Sequence, residues 1–211
     1  MTKHYETSRI RYDEGCLAAH ALNLIGDRWA LLAVRELVFA PKRFQMIRAG
    51  LPGITAGVLS GRLAQLHETG IVAHDERLGL YSLTDAGRGL LPVLEALCRW
   101  ALTVPGHDPS RFISPSALMI SMGVNLVYER AGRRRGLEAF EMELVDGRLS
   151  TASVARLDAP FVLIGNGNAM AAAVYGTAPL SLLIAKGFIG VQGDIPAAQD
   201  FVDMFRLEAR S

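Results

Sequence analysis

The sequence predicts an α+β chain in two units. The first is mainly helical and carries a two-stranded hairpin, and the second is α/β with a mostly antiparallel sheet. Three observations predict this. Residues 44–84 read as short helix, turn, longer helix and tight hairpin. Residues 103–115, TVPGHDPSRFISP, are rich in proline and polar residues and read as a linker. Beyond it, alternating apolar and charged residues and an Asp146-Gly147 turn signal interrupt the helical spacing.

Residues 1–14 are polar and read as a solvated arm, with Arg9 and Arg11 in reach of a phosphate or a partner. Gly15–Ile25 is the first expected helix, with Leu17, Ala21, Leu24 and Ile25 inward and Cys16 in its first turn. Asp27–Phe39 is the second, with Asp27 as its cap and Trp29, Leu32, Ala33, Leu37 and Val38 as core. Glu36 is expected to pair with a basic neighbour at the surface, where such pairs contribute little. Lys42-Arg43-Phe44 opens the third helix: Phe44 anchors it, and Arg43 is placed for a phosphate contact or an internal salt bridge.

Leu51-Pro52-Gly53 breaks that run, and Thr55 can cap a new helix through Thr69. Ile54, Val58 or Leu59, Leu63 and Leu66 recur at a spacing of three to four and mark its buried face. Thr55, Ala56, Gly57, Ser60, Gly61, Ala64 and Gln65 then face outward, with Arg62 near the edge. After the Gly70 stop, Ile71–Leu83 forms a hairpin whose tip carries Arg77. This order is a helix-turn-helix with a wing, which offers its second helix to a DNA major groove. Base contacts fall to Thr55, Ser60, Gln65 and Arg62, the last also suited to clamping a phosphate. Gly57 and Gly61 either permit close approach to DNA or are tolerated on a solvent face. Arg77 suits a narrow minor groove.

Thr84–Leu102 reads as one long helix, opened by a Thr84–Asp85 cap and bent at Pro92. Its stripe of Leu83, Gly87, Leu90, Leu94, Leu97 and Ala101, broadened by Leu91 and Cys98, is wider than one small unit needs. It is expected to form a dimer seam with the first helix, presenting two recognition helices to half-sites about one helical turn of DNA apart.

The joined motifs GDRW (26–29), REL (35–37), RF (43–44), LSGRL (59–63), GIV (70–72), YSLT-x-AG (81–87) and LP-x-L-x2-L-x2-W (91–100) resemble the HxlR family of winged-helix regulators. The likeness runs from about residue 15 to residue 102 in family order. It implies a small dimeric bacterial transcription factor without catalytic activity. A cysteine at the place of Cys16 recurs in that family, and some members sense oxidants or electrophiles with it; filling space is the other reading. Many members have a longer, proline-bearing wing than this chain, which leaves the depth of its minor-groove insertion open.

In the second unit, residues 116–128, 167–175, 179–186 and 196–205 look helical. Residues 136–145, 149–157, 159–165 and 188–191 look like strands. The order Gly187, Ile189, Val191, Gly193, Asp194 with Ala198 and Phe201 resembles the sterol carrier protein type 2 family, over about residues 116–207. That resemblance implies a five-stranded sheet with helices on one side, around an apolar tunnel for lipid-like molecules. Met119, Met122, Phe140, Met142, Phe161, Met170, Leu183 and Phe205 are the candidates to line it, although each also suits plain core. The division is therefore residues 1–102 for DNA binding and dimerisation, 103–115 for the linker and 116–211 for a sterol-carrier-like ligand-binding or assembly unit.

Net charge is +1, with twelve lysines and arginines against ten acids in residues 1–103, so no strongly basic half announces nucleic acid. The arginine run 133–135 could guide an acidic ligand or touch DNA, and reads more simply as a solvated loop. Cys16, Cys98 and the five histidines have no metal-ligand spacing, and no catalytic constellation stands out. No cofactor or metal is expected. The polar start and the absence of an eighteen-residue apolar run point to a cytoplasmic chain away from membranes. The leading expectation is a dimeric regulator of double-stranded DNA, modulated by a hydrophobic or amphipathic small molecule. A lipid-like carrier whose winged helix serves only dimerisation or protein contact is the rival, and thiol-redox control through Cys16 is a third reading.

Overall fold

The computed structural model describes residues 12–125, 140–145, 148–153 and 160–205, with Asn125 and the strands 140–145 and 148–153 described by backbone alone. In the first unit α1 (Leu17–Ile25) and α2 (Ala30–Leu37) lead into β1 (Lys42–Arg43), α3 (Phe44–Ala49) and α4 (Ala56–Glu68). The hairpin β2 (Val72–Asp75) and β3 (Leu80–Leu83) follows, then α5 (Asp85–Arg88) and α6 (Leu91–Ala101). All three strands form one antiparallel sheet in the order β1-β3-β2. Lys42 is paired with Tyr81, and His74 on β2 is paired with and stacked on the same Tyr81. Thr84 locks the base of the hairpin: its hydroxyl donates to the Gly70 carbonyl at 2.6 Å and accepts from the Gly87 N–H at 3.2 Å.

Three local expectations are corrected. Lys42 and Arg43 form a short edge strand rather than the start of a helix, because β3 has a free side that their extended backbone can pair. Residues 84–102 form two helices rather than one bent helix. Pro92 lies in the first turn of α6, where its missing N–H would have had no helical acceptor anyway. Leu17 is 85 % exposed instead of inward; the buried residues of α1 are Ala19 and Ile25.

The second half contains α7 (Pro115–Asn125), the hairpin β4 (Phe140–Val145) and β5 (Arg148–Ser153), and β6 (Phe161–Ile164). It continues with α8 (Gly167–Tyr175), α9 (Leu180–Ala185), β7 (Gly190–Gly193) and α10 (Ile195–Val202). Among the described residues the strands make two antiparallel pairs, β4-β5 and β6-β7. Arg9, Arg11 and the arginine run 133–135 lie outside the described residues. No helix among the described residues is long and apolar enough to cross a membrane, and no group of three or more potential metal ligands occurs there.

Two buried clusters organise the chain. The first gathers Val34, Leu37, Ile47, Leu51, Leu59, Leu63, Leu66 and Leu83 around α2, α3 and α4. The second gathers Leu163, Met170, Leu180, Ala198 and Phe201. α7 belongs to both: Ile120 packs into the first, while Leu118 and Met122 pack into the second.

The contact between α2, β1 and the start of α7 is polar and closed. Glu36 is 1 % exposed, so the expected surface charge is a buried one. Its Oε2 accepts from Lys42 Nζ at 3.0 Å, and its Oε1 accepts from Arg35 Nη2 at 2.9 Å and from the Ser114 hydroxyl at 2.6 Å. Lys42 Nζ also donates to Ser116 Oγ at 2.9 Å. A buried carboxylate requires such partners, since desolvation alone would strongly disfavour the charge.

Candidate nucleic-acid interface

α4 is built as the sequence predicts. Thr55 adopts an extended backbone and its hydroxyl accepts the Val58 N–H at 3.3 Å, capping the helix. Ile54, Leu59, Leu63 and Leu66 are buried beneath it, and Val58 faces out. Each fully buried leucine contributes about 1.5–3 kcal/mol, enough to seat this helix against the core. Thr55, Ala56, Gly57, Ser60, Gly61 and Ala64 form the exposed face. A Cβ added at Gly57 or Gly61 would meet nothing within 4 Å, so internal packing does not require glycine at either position.

Two expected readers are committed elsewhere. Gln65 is 7 % exposed and its side-chain amide donates to the Leu24 carbonyl at 3.1 Å, tying α4 to the end of α1. It is turned inward, not toward solvent. Arg62 pairs with Asp27 at 2.7 Å and also bonds the Gln65 side chain. Asp27 in turn accepts the Trp29 N–H at 2.8 Å, so one carboxylate shapes the entry to α2 and holds the middle of α4. Arg62 and Gln65 are thus positioning residues for the helix.

Arg43 and Arg77 are exposed, at the start of α3 and at the hairpin tip, with no carboxylate partner among the described residues. The tip turn is closed by Asp75 Oδ1, which accepts the Leu78 N–H at 3.0 Å. Cys16 is exposed at the N-cap of α1. The backbone N–H groups of Ala19 and Ala18 in the first turn hold its thiol below the ordinary value, although the thiol makes no capping hydrogen bond. Cys98 moves the other way, chiefly because burial disfavours its thiolate.

Of the expected ligand-lining residues, Met122, Phe161, Met170, Leu183 and Phe205 lie in the second buried cluster, with Met119 packed at its margin. Phe140 and Met142 are on β4, and their side chains lie outside the described residues. The sequence reading missed the Glu36–Lys42–Ser114–Ser116 cluster; its sequence signal was an acid beside Arg35 at the end of an apolar helix, followed six residues later by a lysine.

A capped, exposed helix on a packed three-helix base, flanked by a hairpin wing with a cationic tip, defines a winged helix-turn-helix DNA-binding regulator of transcription. Residues 24–107 match the family described as HxlR-like helix-turn-helix. The HTH-type transcriptional regulator YvaP of Bacillus subtilis is 38% identical over 87 residues, which cover 38% of this chain and 80% of YvaP. An HTH-type transcriptional regulator of Mycobacterium tuberculosis is 38% identical over 92 residues, 41% of this chain and 58% of that protein. The quinone-bound structure of YodB from B. subtilis is 33% identical, covering 42% of this chain and 99% of YodB, with a TM-score of 0.39. The chain belongs to the HxlR-like helix-turn-helix family.

Proposed function

We propose that the protein is a dimeric regulator that reads double-stranded DNA with the exposed face of α4. In this reading Thr55 and Ser60 touch base edges and Gly57 admits the helix close to the groove. Arg43 and Arg77 bind phosphate or minor groove. The exposed face of small residues over a fully packed underside carries the reading, because a helix held this firmly can present a fixed surface. The dimer forms through α1 and α6, which leave Leu17, Leu22, Val93, Leu97 and Trp100 exposed.

The test is DNA affinity by fluorescence anisotropy across a salt series, after selecting a binding site from a random library. Affinity should fall with log salt at a slope of about −0.9 per neutralised phosphate, and Arg77→Ala should lower that slope by about one unit. A flat salt profile would instead favour the carrier reading, with the winged helix kept for assembly.

The finer reading of the remainder is a linker over residues 103–115 and a sterol-carrier-like unit over 116–211 that binds a hydrophobic or amphipathic molecule. Its support is the motif order in the sequence and the gathering of Met122, Phe161, Met170, Leu183 and Phe205 into one apolar cluster. Ligand would favour one arrangement of the units and so shift DNA affinity. Native mass spectrometry of the purified protein tests it: an apolar adduct lost on denaturation supports the reading, and a bare protein counts against it.

A second reading rests on Cys16, an exposed thiol with a lowered pKa at the start of a seam helix. Its oxidation or alkylation would then alter the dimer and release DNA. A Cys16→Ser protein whose DNA binding still responds to oxidant would end that reading.

A further inference from the structure

A cavity of about 260 Å³ opens where the linker meets the reader; of its lining residues Ile113 also packs at the margin of the second buried cluster. Trp29 and Leu32 of the α2 region form one wall, and Phe112, Ile113 and Ala117 form the other. Arg28 and Arg35 also line it, and no aspartate or glutamate does.

The charge balance around this cavity is one-sided. Arg35 and Lys42 share the single carboxylate of Glu36, which leaves one positive charge over. Arg28 adds a second: its guanidinium lies 4.9 Å from the centre of the Trp29 ring and has no carboxylate partner among the described residues. A guanidinium held on an indole face is preorganised to meet a carboxylate in its own plane. The second aromatic wall, Phe112, is 54 % exposed and offers a ring with unused surface.

We infer that this cavity binds a small aromatic carboxylate, its ring against Trp29 and Phe112 and its anion on Arg28 and Arg35. The volume lies just below the range of drug-sized sites and suits about ten to fifteen heavy atoms. Such a molecule would touch both units at once, because Trp29 and Leu32 come from the first and Ala117 from the second, with Ser114 of the linker between them. None of the residues assigned above to a lipid-like ligand lines this site, which meets the apolar cluster only through Ile113, and the inference does not depend on that assignment.

Titration with benzoate, benzamide and acetate, followed on the tryptophan indole N–H signals of the 15N-labelled protein, tests the inference. A Trp100→Phe protein identifies the Trp29 signal. Benzoate should shift that signal saturably, with benzamide (ring without charge) and acetate (charge without ring) each binding about tenfold more weakly. Arg28→Gln, a change at an exposed residue, should weaken benzoate by about tenfold while leaving the remaining spectrum in place. Ala117→Leu should block binding by filling the cavity. The inference is overturned by no saturable shift of Trp29 at about 10 mM benzoate. It is equally overturned by benzamide binding as well as benzoate, or by undiminished binding in Arg28→Gln.

Discussion

Replacing Glu36 by alanine should be the most damaging single change at the contact between α2, β1 and α7. The carboxylate is 1 % exposed and accepts from Lys42, Arg35 and Ser114. Without it, Lys42 keeps only the Ser116 hydroxyl as a partner, with its side chain 6 % exposed. Arg35 suffers less, since it is 20 % exposed and retains the Gly50 carbonyl at 3.0 Å. Removing one member of a buried ion pair costs about 3–5 kcal/mol, mostly as the uncompensated charge left behind. With a urea slope of about 1–3 kcal/mol/M, the unfolding midpoint should fall by roughly 1–5 M. Tryptophan fluorescence is the direct assay, because both tryptophans, Trp29 and Trp100, belong to the reader. The double change Glu36→Leu with Lys42→Met should recover part of the loss, since it removes both charges together. A loss below about 1 kcal/mol for Glu36→Ala, the value of a solvated surface pair, would refute the account of a closed contact.

Four further outcomes are expected. Gly57→Ala and Gly61→Ala should each stabilise the fold by up to about 1 kcal/mol, while Gly57→Ala loses DNA affinity; unchanged anisotropy would assign Gly57 to a bare solvent face. Gly87→Ala should destabilise by about 1–3 kcal/mol in thermal melts, because the added Cβ would lie 2.2 Å from the Ile71 carbonyl oxygen. Cys16 should alkylate well before Cys98 near neutral pH: reactivity rises as pH passes each thiol pKa, and that of Cys16 is lowered by the backbone N–H groups of the first turn while burial raises that of Cys98. Peptide mass spectrometry after brief iodoacetamide treatment reads the order. Leu97→Glu should shift sedimentation toward monomer, since Leu97 is a 44 % exposed apolar residue of the proposed seam.

The reader was legible wherever its determinants are local. Thr55 caps α4 because its hydroxyl meets an N–H three residues on, and the leucines at 59, 63 and 66 declare their face by spacing alone. The strands and helices of the second half fall close to their expected places for the same reason. Spacing could not reveal partners far along the chain. Gln65 turns inward for a carbonyl 41 residues away, and Glu36 is buried by a serine 78 residues away. Pro92 was misread for a subtler reason. A proline shows where a helical run must yield, but whether the run bends or restarts depends on the Thr84 lock and on the packing of Leu94.

The dual membership of α7 bears on how such a chain could come to exist. A reader ending at residue 107, where the family match stops, would lose Ile120 from its core along with the two serines that close over Glu36 and Lys42. The Ser114 hydroxyl sits at the end of the linker and that of Ser116 just beyond it, so the matched segment alone lacks two of the groups that close over its buried pair. Recombination could not exchange the downstream half for an arbitrary one, because the incoming segment would have to supply its own lid for a lysine and a glutamate already committed to the interior.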